Sequence, residues 1–198
     1  MAEADEQLVQ RCRKGDRAAL EELLNRYQDR LMAFIYSVVR DYHLAEDIFQ
    51  ETFLRVYRGA RRFRSGASFK TWLYTIAANL CRDALRKSRR RPEVSLDAGL
   101  VRGGNDQTSR LADLIPGSEP GPRDQAGARE LEAILKGELS GLSEEHRQVI
   151  VLSRLNGLKY REIAEVLGIP SGTVRSRLHY ALEQLRLRLQ DRGIESNG

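Results

Sequence analysis

The stretch "YREIAEVLGIPSGTVRSRL", Tyr160–Leu178, decides how this chain folds. Ile163, Ala164 and Leu167 recur at the spacing of one helical face, Gly168 offers the left-handed conformation that stops a helix, and Ser171 stands where a second helix opens and can offer its hydroxyl to the free amides there. Ile169 is suited to plug the core between the two helices. The pattern predicts a helix-turn-helix. At about 100° per residue, Val174, Leu178, Ala181, Leu182 and Leu185 share one side of the second helix. Gly172, Thr173, Ser176, His179 and Tyr180 then face outward, flanked by Arg175 and Arg177. Small residues let a helix N-terminus seat deeply in a major groove, the helix dipole favours phosphate, and arginines supply charge and base readout. Duplex DNA is therefore the expected partner of this face, against the alternative of a helical hairpin whose outer side is merely solvated. His179 is as readily incidental as a phosphate contact.

The composition fits that partner. The 198 residues carry a net charge of +5, 31% charged and 41% hydrophobic residues, with a pI near 9.4. This describes a soluble, moderately basic chain able to build two small cores and to meet a polyanion. Met-Ala-Glu-Ala-Asp-Glu at the start carries no basic leader, and no run of about 18 apolar residues follows, so a cytoplasmic location without membrane insertion is expected. Cys12 and Cys81 lie far apart in helical patterns and belong to no metal-ligand spacing, which predicts buried or half-buried free thiols and no metal.

Upstream, helical periodicity dominates and strand-like alternation is missing, so the chain is expected to be all-α. A first helix is predicted over Asp5–Lys14, stopped by Gly15. A second is capped by Asp16, with an apolar stripe of Leu20, Leu23, Leu24, Tyr27, Leu31, Phe34, Ile35 and Val38. After Asp41 a third helix restarts with Leu44, Ile48, Phe49, Thr52, Val56 and Tyr57 on one face and Glu46, Asp47, Gln50, Glu51 and Leu54 on the other. Gly66 marks a loop, and Ser68 caps a fourth helix with Phe69, Trp72, Leu73, Ile76, Ala77, Leu80, Ala84 and Leu85 inward and a basic run, Arg86 to Arg91, at its end. Residues 92–126 hold Gly103-Gly104, Pro116, Pro120 and Pro122 and sustain no apolar period, as a linker would. Helices resume near Gly127, with Leu131, Ile134, Leu135 and Leu139 on one face, and Ser143 caps the next. The expected organisation is two small helical domains, 1–91 and 127–198, joined by an extended linker.

"AEDIFQETFLRVYR" (45–58), "SFKTWLYTIAANLCRDALRKSRRR" (68–91) and "IAEVLGIPSGTVRSRLHYAL" (163–182) stand in that order, and together they resemble bacterial RNA polymerase sigma factors of the extracytoplasmic-function (ECF) class. The resemblance implies that residues 1–91 form sigma domain 2, which binds core polymerase and opens the −10 element. It implies that residues 127–198 form sigma domain 4, which reads the −35 element, and that domain 3 of larger sigma factors is replaced by the linker. On the third helix the positions matching the family's grip on a coiled coil of the largest polymerase subunit are Asp47, Gln50, Glu51, Phe53 and Leu54. An acidic and amide face with one leucine independently suits a basic partner helix. Phe53 lies nearer the apolar stripe, where core packing is an equal alternative.

Holding DNA open asks for apolar and aromatic surfaces, amides that read base edges, and cations on the backbone. Arg61, Arg62, Phe63, Ser68, Lys70, Trp72, Tyr74, Thr75, Asn79, Arg82 and Arg86 supply these, and Phe69 and Trp72 fit the core as well as DNA. The resemblance places a flipped non-template base in the loop Arg62 to Ser68, and Asn79 and Arg82 on the DNA side of the fourth helix. Its −35 counterparts are Arg161, Ser171, Gly172, Thr173, Arg175, Ser176, Arg177 and His179. It further implies a flap contact on the second-largest subunit, an anti-sigma partner, and a monomer when free. The linker either follows the polymerase RNA path, with Asp106, Asp113, Glu119 and Asp124 toward basic walls, or is a plain spacer.

No set of nucleophile, base and orienting group can be assembled, His43, His146 and His179 are scattered, and no phosphate-binding glycine loop or cofactor motif occurs. A catalytic activity of its own is not expected. The rival readings are a helix-turn-helix regulator that binds its operator without polymerase and, more distantly, a nucleic-acid-processing enzyme with a helical catalytic domain.

Overall fold

The computed structural model describes residues 3–64, 66–90, 137, 139 and 141–191. The proposed linker and the face Leu131, Ile134 and Leu135 lie outside the described residues. Seven α-helices organise the described chain: α1 (Asp5–Arg13), α2 (Arg17–Val39), α3 (Tyr42–Gly59), α4 (Phe69–Arg90), α5 (Glu144–Ile150), α6 (Tyr160–Leu167) and α7 (Ser171–Asp191). A 3₁₀ turn, Ala60–Arg62, follows α3, and a π-helical turn, Val151–Leu155, extends α5. No strand occurs among the described residues.

Local chemistry sets the helix ends. The Asp16 carboxylate accepts from the amides of Ala18 and Ala19 to start α2, and Asp41 accepts from Leu44 to start α3. Ser68 and Ser143 do the same for the amides of Thr71 and His146. Gly15 and Gly168 both take positive φ, +88° and +68°, where each stops its helix. Ser171 departs from expectation: it is the first residue of α7, and the Val174 amide bonds to the carbonyl of Pro170, so Pro170 holds the cap position instead.

The first four helices enclose one apolar mass. Leu8, Val9 and Cys12 of α1 are buried with Leu23, Leu31, Phe34 and Ile35 of α2, Ile48 and Val56 of α3, and Phe69, Leu73 and Ala77 of α4. Each fully buried large side chain of this kind contributes about 1.5–3 kcal/mol. Tyr57, expected on the inner stripe of α3, is 41% exposed. Tyr57 lies one residue, and so about 100°, round the helix from buried Val56, at the edge of the stripe. The second group closes around Val149, Leu152, Ile163, Val166, Val174 and Leu178, with Ile169 half-buried against it. Cys12 and Cys81 are buried free thiols.

The two groups are packed together. α6 lies along α4, while α5 and its π turn press on α2. Arg147 of α5, 4% exposed, donates to the carbonyls of Ser37 in α2 (2.6 Å) and Leu142 (2.9 Å). Ser37 lies in the last turn of α2, where unpaired carbonyls attract a cation.

Gly168 gives a measurable handle on the helix-turn-helix. Any β-carbon at its φ of +68° meets the left-handed penalty, so Gly168→Ala is expected to lower unfolding free energy by about 1–2 kcal/mol in denaturant titration.

Candidate nucleic-acid and polymerase interface

The outer side of the helix-turn-helix is open. Ser171, Gly172, Arg175, Ser176 and His179 of α7 are exposed, as is Arg161 at the start of α6, while Thr173 is half-buried. Val174, Leu178 and Ala181 turn inward and fix the orientation of that face. Arg177 pairs with Glu145 of α5 at 2.9 Å, so its guanidinium is drawn toward the scaffold and Arg175 is the freer cation of the two. The His179 ring packs edge-on to Tyr180, 5.7 Å between centroids.

On α3 the candidate polymerase-binding side chains form an exposed strip of Asp47, Gln50 and Leu54, with Glu51 half-buried and bonded to Arg55 at 2.8 Å. Leu54 is 41% exposed, a large apolar side chain left in water. Phe53 goes the other way. It is 5% exposed and its ring packs at a tilt against Phe49, 5.1 Å between centroids, which favours the core-packing alternative left open by the sequence.

The third set converges on α4 and the loop before it. Phe63, Phe69 and Trp72 form an aromatic cluster with centroids 5.0–6.4 Å apart. Phe63 and Phe69 are buried, whereas Trp72 is half-exposed. Arg61 and Arg62 are exposed beside them. Farther along, exposed Asn79 accepts from Arg82 at 2.6 Å, and exposed Arg86 pairs with Asp83 at 2.8 Å. Thr75 is half-buried and donates to the carbonyl of Thr71. These residues share one side of the helix because 71, 75, 79, 82 and 86 repeat at three- and four-residue steps.

That side of α4 is also where the helix-turn-helix group rests. Tyr74 is fully buried: its ring meets Phe34 edge-on at 5.5 Å, and its hydroxyl donates to Oδ1 of Asn156. Burial pushes the Tyr74 phenol well above its ordinary range. Thr71 donates to Oε1 of Glu162 at 3.3 Å. A β-carbon on Gly157 would stand 3.9 Å from Nζ of Lys70, and one on Gly168 would stand 3.8 Å from Nη1 of Arg82. The Lys70 ammonium has its pKa lowered, first by desolvation and then by Arg30. Lys70, Tyr74 and Arg82, all candidates for the −10 element, thus adjoin the other group, whereas the strip on α3 and the outer face of α7 stay uncovered.

Between the loop and α6 lies a groove of about 490 Å³. Arg62, Phe63, Arg64, Ser68, Thr71, Trp72 and Thr75 line one side, Glu162 and Glu165 the other. Sequence reasoning missed Thr71 and both glutamates as members of this groove and Asn156 as the partner of Tyr74, while Arg64 falls in the loop Arg62 to Ser68 that it marked. Thr71 was legible as one turn before Thr75. The glutamates belong to a segment 91 residues away from Thr71, and no local pattern announces such a pairing. Glu6 of α1 was also missed: it accepts the amide of Phe69 at 3.1 Å and so places a carboxylate at the N-terminus of α4.

Residues 23–91 match the family Sigma-70 region 2, and residues 133–185 match Sigma-70, region 4. The ECF RNA polymerase sigma factor SigW of Bacillus subtilis is 34% identical over 183 residues, which cover 92% of this chain and 95% of that one. The RNA polymerase sigma-H factor of Pseudomonas aeruginosa is 34% identical over 193 residues, 95% of each chain. Among solved structures, CnrH in complex with the cytosolic domain of CnrY superposes with a TM-score of 0.63 at 22% identity, covering 96% of this chain and 99% of that one. The sigma factor RpoE of Bartonella quintana, in complex with the anti-sigma factor NepR, superposes with a TM-score of 0.62 at 25% identity, covering 86% and 96%.

Proposed function

Because this chain belongs to the ECF class of RNA polymerase sigma factors, and so serves initiation by binding core polymerase and promoter DNA, we propose how its surfaces divide that work. Residues 1–91 act as domain 2, 127–198 as domain 4, and 92–126 as the connection between them. The exposed strip of Asp47, Gln50, Glu51 and Leu54 holds the coiled coil of the largest polymerase subunit: carboxylates steer toward a basic helix and Leu54 buries at the centre. Phe53 supports the strip from beneath. Domain 4 docks on the flap of the second-largest subunit, and an anti-sigma factor is the expected antagonist.

At the −35 element the N-terminal turns of α7 enter the major groove of closed duplex. Ser171, Gly172 and Thr173 allow close approach, Arg175 and Ser176 reach base edges or phosphates, and Arg161, Arg177 and His179 lie at the margin. At the −10 element the task is different, since stacking is worth about 1.4 kcal/mol per step and opening ten steps costs on the order of 14 kcal/mol. Core binding and duplex anchoring supply most of that, and α4 has to capture bases as they unstack. The loop from Arg62 to Ser68, with Trp72 beside it, is the wall of the groove offered to an extruded base, and Asn79 offers an amide to a base edge. Arg61, Lys70, Arg82 and Arg86 follow the phosphates. Trp72 is the aromatic ring of this helix left open for stacking.

The observation that carries this reading is the placing of three chemically different faces on three helices of one small frame: acidic on α3, basic and aromatic at α4, small and basic on α7. It is tested by adding the purified chain to sigma-free core polymerase and promoter DNA and scoring specific transcripts and an opened bubble. Duplex binding with no response from core would contradict it.

Two substitutions resolve the surfaces. Glu51→Lys is expected to abolish core binding while circular dichroism and thermal unfolding stay as in the parent chain, since Glu51 contributes only a surface pair with Arg55. Arg175→Ala is expected either to cost about 1–3 kcal/mol and relax one −35 position, the mark of base readout, or to weaken all sequences alike and flatten the salt dependence by about one ion, the mark of a phosphate contact.

A further inference from the structure

We propose that Gly59 is a positioning residue for the −10 element: by carrying no side chain where α3 ends, it sets how far the Trp72 ring stands into the groove. The inference rests on the assignment of Trp72 to the −10 element and adds the residue that aims the ring. Gly59 closes α3 and hands over to the 3₁₀ turn with φ −84° and ψ −12°. That backbone is right-handed and open to any residue, and alanine would form the helix better than glycine does. The conformation therefore gives no reason for a glycine here. Space does: a β-carbon on Gly59 would stand 3.0 Å from Cζ2 and 3.4 Å from Cη2 of Trp72, so the outer edge of the indole lies almost on the α3 backbone.

The neighbours of the indole leave it one way to move. Phe63 and Phe69, both buried, pack against it with centroids 5.0 and 6.1 Å away. These rings are held in turn: they meet each other at 6.4 Å, and Phe69 meets Tyr27 edge-on at 5.5 Å. The remaining side of Trp72 lines the groove with Ser68, Thr71 and Thr75. A methyl group at position 59 consequently drives the indole a few tenths of an ångström toward the groove and tilts the face offered to a base. Stacking depends on the offset and tilt of the two rings, so a small displacement weakens capture of an unstacked base. The strip on α3 keeps its own side chains and its hold on core polymerase.

Trp72 is the single tryptophan of the chain, so its emission reports this ring alone. In the free chain Gly59→Ala is expected to shift that emission and to raise its quenching by acrylamide. In holoenzyme on promoter DNA the same variant is expected to lower the equilibrium yield of open complex, measured as permanganate-reactive thymines, by about fivefold, with unchanged affinity for core. A Trp72→Phe background separates positioning from a general effect on the helix, because a phenyl ring lacks the edge that reaches Gly59. There Gly59→Ala is expected to cause no further loss. Emission and quenching equal to the parent's, or equal opening, in Gly59→Ala overturns the proposal, and so does a loss of the same size that persists beside Trp72→Phe. Opening by Trp72→Phe as good as the parent's would instead overturn the assignment of Trp72 to the −10 element.

Discussion

Helix α4 has more neighbours to satisfy than it has faces to give, and the rest of the molecule is arranged around that constraint. Phe69, Leu73 and Ala77 must enter the core of the first group, which fixes the helix in rotation. The side carrying Thr71, Tyr74, Ala78 and Arg82 is then left for whatever comes next, DNA or protein. A side chain such as Tyr74 shows the compromise: its ring belongs to the core beside Phe34, and its hydroxyl has to find a partner outside. A polar tip on an apolar body suits a surface that exchanges one partner for another.

The helix is held from below by a polar network at the start of the chain. Asp5 accepts from Arg26 at 2.7 Å and from the Tyr27 hydroxyl, and the Tyr27 ring meets Phe69 edge-on at 5.5 Å. Glu6, one residue on, takes the amide of Phe69 itself. Two adjacent acidic residues of α1 therefore set both the core contact and the helical end of α4. Asp5 and Glu6 precede the part of the chain that matches Sigma-70 region 2, yet they anchor the start of α4 within it.

Much of this was written locally. Asp16, Asp41, Ser68, Ser143 and Gly168 mark helix boundaries through their own side chains or lack of one, and the three- and four-residue spacing of Leu23, Tyr27, Leu31 and Phe34 or of Val174, Leu178 and Ala181 names the buried faces. The outward residues of α3 and α7 follow by subtraction. Tyr57 differs because it stands about 100° round the helix from Val56, at the edge of the stripe, and Ser171 because a serine and a proline competed for one cap. What could not be read was long-range: Arg147 reaching a carbonyl 110 residues away, Asn156 meeting Tyr74, and Glu162 meeting Thr71. Each is a polar residue that composition alone would assign to solvent, and the packing of one group on the other gives it a partner across the chain.

The π turn at Val151–Leu155 has a consequence for the whole second group. Its wide ring, closed by the Asn156 amide on the Val151 carbonyl at 3.0 Å, inserts one residue into what would otherwise be regular α-helix. The Asn156 side chain then bonds to that same carbonyl at 3.0 Å, which holds its amide oxygen toward Tyr74. Removing a single residue here would close the wide ring and take away the bond from the Asn156 amide to the Val151 carbonyl. Asn156 would then lose the geometry that aims its amide oxygen at the phenol of Tyr74. A local irregularity of five residues thus helps to fasten the second group onto the first.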